Sequence, residues 1–413
     1  MIDVARCPIH FDPTDPEQRA DPVPTYRRLR AEAPVHYEVR FDLWVVTRYA
    51  DVNAVIRDTE TFSSEGAVTS AAAPLPERAR AKLAEGHWPV TLLTQSDDPL
   101  HRTLRNLVQR AFTPRRVAAL EPAIRERAQQ LAGRFGDRGE ADVVGEFAWE
   151  LPIYVVGRMI GVPDGDVPKL HEWSDDLMMV LQATATPDEL ERHAAGVVAM
   201  QRYFAAALED RLSARRDDLM SSLLADWEPE LVPFEQVAQL PLNLIVAGHL
   251  TVTRAIGNGI WMLAGDPELA RRLRTDTDAM GPFVEELLRL EAPAQGLFRT
   301  VTRDTELAGV RIPAGARVMI QFGAANHDES VFEEPDAVRL ERANMSQHLA
   351  FGKGAHFCVG APLARLELPV AFETLLAALP GLRRTDVEPV RDPVFFARGF
   401  RELRVAWDPV GSA

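Results

Sequence analysis

Apolar residues recur at three- and four-residue spacing along most of the chain. The pattern is clearest in TYRRLRAEAP (25–34), RRVAALEPAIRERAQQLAGRF (115–135), ELERHAAGVVAMQRYFAAALEDRLSARR (189–216) and PFVEELLRLEAP (282–293). That spacing predicts amphipathic helices. From Phe234 to Leu263 the sequence reads as one helix, apolar nearly all round. At 1.5 Å per residue it would be roughly 45 Å long and run through the core. Strand-like runs are short: LWVVTRY (43–49), VTRDTELAGVRIPAGARVMIQF (301–322) and RELRVAW (401–407). The expected fold is mainly α with small β-sheets, organised as a single domain over residues 1–413.

Composition narrows the class. With 46% apolar and 26% charged residues, the 413-residue chain can bury a large core. The 30 prolines and 25 glycines are scattered as punctuation and form no linker. A net charge of −15 disfavours nucleic acid as a partner. No apolar run reaches the length of a membrane span, and MIDVARCPIHFDPTDPEQ lacks the layout of a secretion signal. Two cysteines, Cys7 and Cys358, suggest no disulfide framework, so the expectation is a cytoplasmic protein. Cys7 has no assignable role.

Cys358 carries the chemistry. It lies in HLAFGKGAHFCVGAPLARLE (348–367), between a glycine-rich turn and a helix-patterned segment. The free N–H groups and dipole at a helix N-terminus favour thiolate over thiol. Glycines 352, 354 and 360 permit tight turning and close approach to a flat ligand. A buried structural thiol, a nucleophile paired with His356, and a single axial thiolate on haem iron all remain open; zinc would require further ligands nearby.

FGKGAHFCVG (351–360) resembles, at every signature position, the haem-binding motif FGxGxHxCxG of the cytochrome P-450 family. The resemblance implies that Cys358 is the proximal ligand of haem b. It implies that His356 faces a haem propionate and that Phe351, the motif's first residue before Gly352, packs beside the thiolate, with Gly360 closing the motif. EELLR supplies Glu286 and Arg289 in the family's ExxR arrangement, with Arg342 as the third, structural member and Arg339 as its alternative. In DDPLHRTLR, His101 and Arg105 match propionate-binding residues, and Arg299 in GLFRTVTRD matches another. IPAGARV (312–318) and GAANHDESVFEEPD (323–336) extend the likeness over nearly the whole chain.

LIVAGHLTVTRAIGNG (244–259) resembles the segment that the family places above the haem. Ala247 and Gly248 are small enough for oxygen to approach, and Thr251 can bond back to a carbonyl one turn earlier. Where the family has an acid before the threonine, this chain has Leu250. Protons then arrive by another route (water, His249 or a substrate group), or the chemistry depends less on dioxygen scission. The implied reaction is insertion of one oxygen atom from O2 into a hydrophobic small molecule. The alternatives are peroxide-driven oxidation, ring formation or oxidative coupling, and, outside enzymes, a haem-based sensor or carrier.

The resemblance also implies a pocket drawn from Val90, Leu92, Leu93, Met178, Met179, Val246, Leu250, Gln295, Leu297, Phe298, Phe395 and Phe396; it is largely apolar. No flavin or nicotinamide motif is present, so the expected partners are an iron–sulfur ferredoxin and its NAD(P)H-dependent reductase. The arginine-rich, acid-free stretch HRTLRNLVQRAFTPRR (101–116) is the expected docking face.

Overall fold

The computed structural model describes residues 9–68, 75–90, 92–110, 112–183 and 185–409; Cys7 lies outside them. The chain divides into two compact units, one of residues 1–63, 121–151 and 251–413, the other of residues 64–120 and 152–250. No helix among the described residues is long and apolar enough to cross a membrane.

The first unit is built on a five-stranded sheet. Val35–Glu38 and Leu43–Val46 form an antiparallel hairpin; Leu43–Val46 runs parallel to Arg317–Gln321, which pairs antiparallel with Gly296–Val301, and Phe62–Ser63 closes the edge. Its buried side chains Trp44, Val46, Val318 and Ile320 pack with Phe322, Phe332 and Leu349 into one core. Leu349 is two residues from the glycine-rich motif, so the sheet's core anchors the start of the cysteine loop. RELRVAW divides between two sheets. Phe400–Glu402 pairs with Val390–Arg391, whereas Arg404–Ala406 pairs with Glu140–Asp142 and Arg383–Arg384.

The second unit is helical. Pro187–Ser213 is its longest helix, with Val167–Gln182 and Glu77–Leu83 packed along it. Thr186 starts it with a reciprocal capping box to Glu189. A Cβ on Gly196 would stand 1.7 Å from Asp176 Oδ2, so only glycine permits this approach of the two helices.

Two helix expectations are corrected. Phe234–Leu263 is not continuous: a short Phe234–Val237 turn stops, and the long helix runs Leu240–Gly265. Pro241 explains the break, because it lacks the N–H that would bond the carbonyl four residues back and its ring collides with that carbonyl. The 115–135 segment likewise divides into Pro114–Ala119 and Glu121–Ala132.

Candidate functional site

The cysteine loop is shaped by its own backbone. Gly352 and Gly354 have φ of 66° and 67°, the left-handed region that side-chain-bearing residues resist. The Cys358 N–H donates to the Phe351 carbonyl at 2.8 Å, and the Gly352 N–H to the Leu349 carbonyl at 2.9 Å. The helix Ala361–Ala378 begins three residues after Cys358. Gly360 has φ −82°, and a Cβ there would lie 3.8 Å from Cys358 Sγ, an ordinary contact distance. Cys358 is exposed and its neighbour Phe357 is 38% exposed, an uncommon setting for two apolar groups.

This donor set suits a group that brings its own equatorial ligands. Among the described residues no three His, Cys, Asp or Glu side chains converge as a metal site, so a bare ion at Cys358 would be undersupplied. A single exposed cysteine fits haem iron, which takes few ligands from the protein.

The helix Met280–Leu290 carries a buried ion cluster. Arg289 Nε and Nη2 donate to Glu286 Oε1 and Oε2 at 2.7 and 3.0 Å, both side chains being fully buried. Arg342 Nε donates to Glu286 Oε1 at 3.0 Å. Arg339 contributes its backbone N–H to Glu286 Oε2, while its side chain turns outward to Glu333 and Glu334. The remaining guanidinium N–H groups meet the carbonyls of Asn326, Pro335, Ala337 and Glu333. Burial, the largest single influence, would raise Glu286, but the bonds and charges of Arg289, Arg339 and Arg342 together outweigh it and its carboxyl lies below the ordinary value.

On the long helix Ala247 is exposed and Gly248 half-buried amid buried neighbours. Thr251, one turn after Ala247, is half-buried. Leu250 is buried. His249 is fully buried, and its Nδ1 lies 3.4 Å from Ser174 Oγ on the helix Val167–Gln182. The His171 ring meets His249 edge-on at 5.4 Å between centroids. His249 is therefore engaged by that helix, which bears on its candidacy as a proton route.

The remaining site candidates are held as follows. In the second unit His101 is buried on Leu100–Gln109, and burial, with Arg105 beside it, pushes its imidazole below the ordinary value. Val90, Leu92, Leu93 and Met178 are buried there, while Met179 and Val246 are half-buried. In the first unit Arg299 is buried on Gly296–Val301, its Nη1 donating to the Phe298 carbonyl at 2.7 Å. Phe298, Phe395 and Phe396 form an aromatic cluster with centroid separations of 6.2 Å from Phe298 to each partner; Leu297 packs on the sheet core. The Gln295 amide is engaged at both ends, accepting from Tyr26 at 2.6 Å and donating to the Ala292 carbonyl at 2.7 Å.

Two features escaped the sequence reading. The arginines of 101–116 are not a bare cationic stripe: Arg102 pairs with Asp98 at 2.6 Å, Arg110 with Asp226 at 2.5 Å, and Arg116 lies 3.8 Å from Asp217. Two of these acids arrive from over a hundred residues away, so the stretch itself gave no sign of them. The other is Glu285, neighbour of the ExxR glutamate. It accepts from Arg365 at 2.6 and 2.9 Å and pairs with His348 at 3.0 Å. Burial would raise its carboxyl, but bonds from Arg365 and His348 outweigh that and hold it at about 2.

The family profile described as Cytochrome P450 matches residues 45–380. The chain is similar to the biotin biosynthesis cytochrome P450 of Bacillus subtilis, 32% identical over 94% of this chain and 96% of the relative. It is 36% identical to the methyl-branched lipid omega-hydroxylase of Mycobacterium tuberculosis, over 92% of this chain and 90% of that one. Its architecture is similar to the solved P450 heme domain of Tepidiphilus thermophilus, with a TM-score of 0.91 and 30% identity over 97% of each chain. With motif, sequence and architecture in agreement, the chain belongs to the cytochrome P450 family of haem-iron monooxygenases.

Proposed function

We propose that this monooxygenase binds haem b through Cys358 and oxidises a largely hydrophobic small molecule with electrons from an iron–sulfur ferredoxin and its NAD(P)H-dependent reductase. The observation that carries the reading is the exposed Cys358, tied by its N–H to the Phe351 carbonyl and followed two residues on by Gly360. Haem, when bound, supplies the chemistry that transfers one oxygen atom from O2. The protein supplies the thiolate and the side chains that orient the group. His101 and Arg105, and separately Arg299 and His356, are the proposed partners of the propionates, since guanidinium and imidazole N–H groups bond carboxylates strongly.

On the long helix Ala247 is exposed and Gly248 lies close against Val156, where a Cβ would come within 3.3 Å, and Thr251 is the proposed hydrogen-bond donor to dioxygen. Leu250 holds no proton, and His249 faces Ser174 at 3.4 Å. Water or a substrate hydroxyl is therefore the proposed proton carrier. The apolar character of Val90, Leu92, Leu93, Met179, Val246, Leu297 and Phe395 supports a hydrophobic substrate. The similarity to a methyl-branched lipid omega-hydroxylase agrees with that preference. Leu250 also supports a second reading, oxidation without ordinary dioxygen scission, such as ring formation or oxidative coupling. Labelled O2 separates the two, because coupling need not incorporate the label.

The deciding experiment is the spectrum of the reduced carbon monoxide complex. A thiolate-type Soret band that disappears in Cys358→Ser is the expected result; its persistence in that variant removes the ligand assignment. A spectral titration of the ferric protein with terpenoid, steroid, aromatic, macrolide, peptide and fatty-acid ligands then identifies the substrate class by its shift from low to high spin.

A further inference from the structure

The cysteine loop is gripped from both ends by one carboxylate. His348 precedes the loop and Arg365 follows it, seventeen residues apart in sequence, yet both reach Glu285 on the helix Met280–Leu290. The Ala350 N–H donates to His348 Nδ1 at 3.2 Å, so Nδ1 is an acceptor and Nε2 carries the proton given to Glu285 at 3.0 Å. This tautomer satisfies both bonds, and Arg365 stands opposite Glu285 with a full charge. That guanidinium has a second contact: its carbon lies 4.6 Å from the centre of the Phe351 ring, inside cation–π range. Phe351 is the residue whose carbonyl receives the Cys358 N–H at 2.8 Å.

We propose that Glu285 is a positioning residue for the Cys358 thiolate, acting through Arg365 and Phe351 and setting the charge that the thiolate experiences. The inference rests on Cys358 being the axial ligand. Physically, the bidentate Glu285–Arg365 contact fixes the plane of the guanidinium, and the guanidinium fixes the Phe351 ring. The backbone of Phe351 in turn fixes the Cys358 amide. Glu285 stays ionised throughout the working pH range because its carboxyl is held at about 2. It thereby offsets the Arg365 charge, part of which is directed at Cys358. This differs from the Glu286 cluster, whose bonds end on the carbonyls of residues 326–337 and never reach the motif.

The test uses the haem-loaded enzyme and its midpoint potential, a quantity that a merely structural contact does not move in opposite directions. In Glu285→Gln the amide oxygen still accepts from His348, but the Arg365 charge is uncompensated. The expected result is a more positive potential, because the reduced, more negative centre is favoured. Arg365→Gln is expected to shift the potential the opposite way, and the double variant to return near the parent. Arg365→Lys keeps the charge and loses the planar fork; it should retain a near-parental potential and convert part of the reduced carbon monoxide complex to the thiolate-free form. Should Glu285→Gln fold poorly, Arg365→Gln and Arg365→Lys carry the same comparison. Parental potentials in both charge-removing variants, with Cys358→Ser losing the thiolate band, would overturn the role of Glu285 alone. Retention of that band in Cys358→Ser would overturn the ligand assignment and this inference with it.

Discussion

Arg342 reaches back fifty-six residues to Glu286, donating its Nε–H to Oε1 at 3.0 Å inside a core that excludes water from both side chains. Glu286 is the one acid facing two buried guanidinium groups there, those of Arg289 and Arg342. Removing one member of such a cluster leaves an uncompensated buried charge. Glu286→Ala is expected to destabilise the protein by about 3–5 kcal/mol. Denaturant unfolding checks this, and a variant within 1 kcal/mol of the parent, roughly the noise of such comparisons, would show that the cluster is solvated.

Glu367 is buried within the helix Ala361–Ala378, and its Oε1 has no hydrogen-bond partner among the described residues. Burial pushes its carboxyl from 4.5 up to about 8. The folded-state value lies above the unfolded one, so the native state binds a proton that the unfolded chain releases. The group is harmless below about pH 4.5, and stability falls as pH rises from there towards about 8. Glu367→Gln should melt higher than the parent at neutral pH, by an amount that grows between about pH 5 and pH 8 and corresponds to a few kcal/mol at most. A pH-independent difference in melting temperature would contradict this sign.

The glycines of the motif should separate by mechanism. Gly352→Ala forces a Cβ into positive φ and is expected to lose about 1–2 kcal/mol. Gly360→Ala meets no such strain, because its φ is −82°. Its added methyl would lie at an ordinary contact distance of 3.8 Å from Cys358 Sγ, so haem content and melting temperature should both stay near the parental values. Equal effects of both substitutions on both readouts would refute the distinction.

Leu250 occupies a buried position on the long helix where the family resemblance places an acid. Leu250→Glu and Leu250→Asp should change the fraction of reductant that ends in product, read as NAD(P)H consumed against product formed. If neither variant alters that ratio, the position has no part in proton supply.

Of the arginines in 101–116, Arg115 has no ion pair among the described residues, whereas Arg102, Arg110 and Arg116 face Asp98, Asp226 and Asp217. Internal pairing lowers the net charge available to a partner, so the rate of ferredoxin-to-haem electron transfer should fall only modestly with added salt. Arg115→Glu should slow it more than Arg102→Glu. A rate indifferent to salt and to both substitutions would place docking elsewhere.

The chemistry was legible because it is local. The dihedrals of Gly352 and Gly354, the turn onto Cys358 and the helix start after Gly360 are all consequences of neighbouring residues, so ten consecutive letters define the motif. The Glu286–Arg289 pair was legible for the same reason, since three residues on one helix share a face. Helix boundaries were less so. The break before Leu240 follows from Pro241, a local rule that the apolar periodicity of the segment masked.

What only the tertiary structure decided is which distant groups meet. Glu285, His348 and Arg365 carry no mutual spacing in sequence, and Asp226 gives no sign that it will neutralise Arg110. Gln295 reads as an available amide until Tyr26, far away in the chain, takes its oxygen. Periodicity reports which face of an element is buried, and a motif reports backbone geometry, but neither encodes the partner that packing brings to a charged or polar atom. The sequence determined that Cys358 stands on a turn built to present it; the fold decided which charges surround that turn.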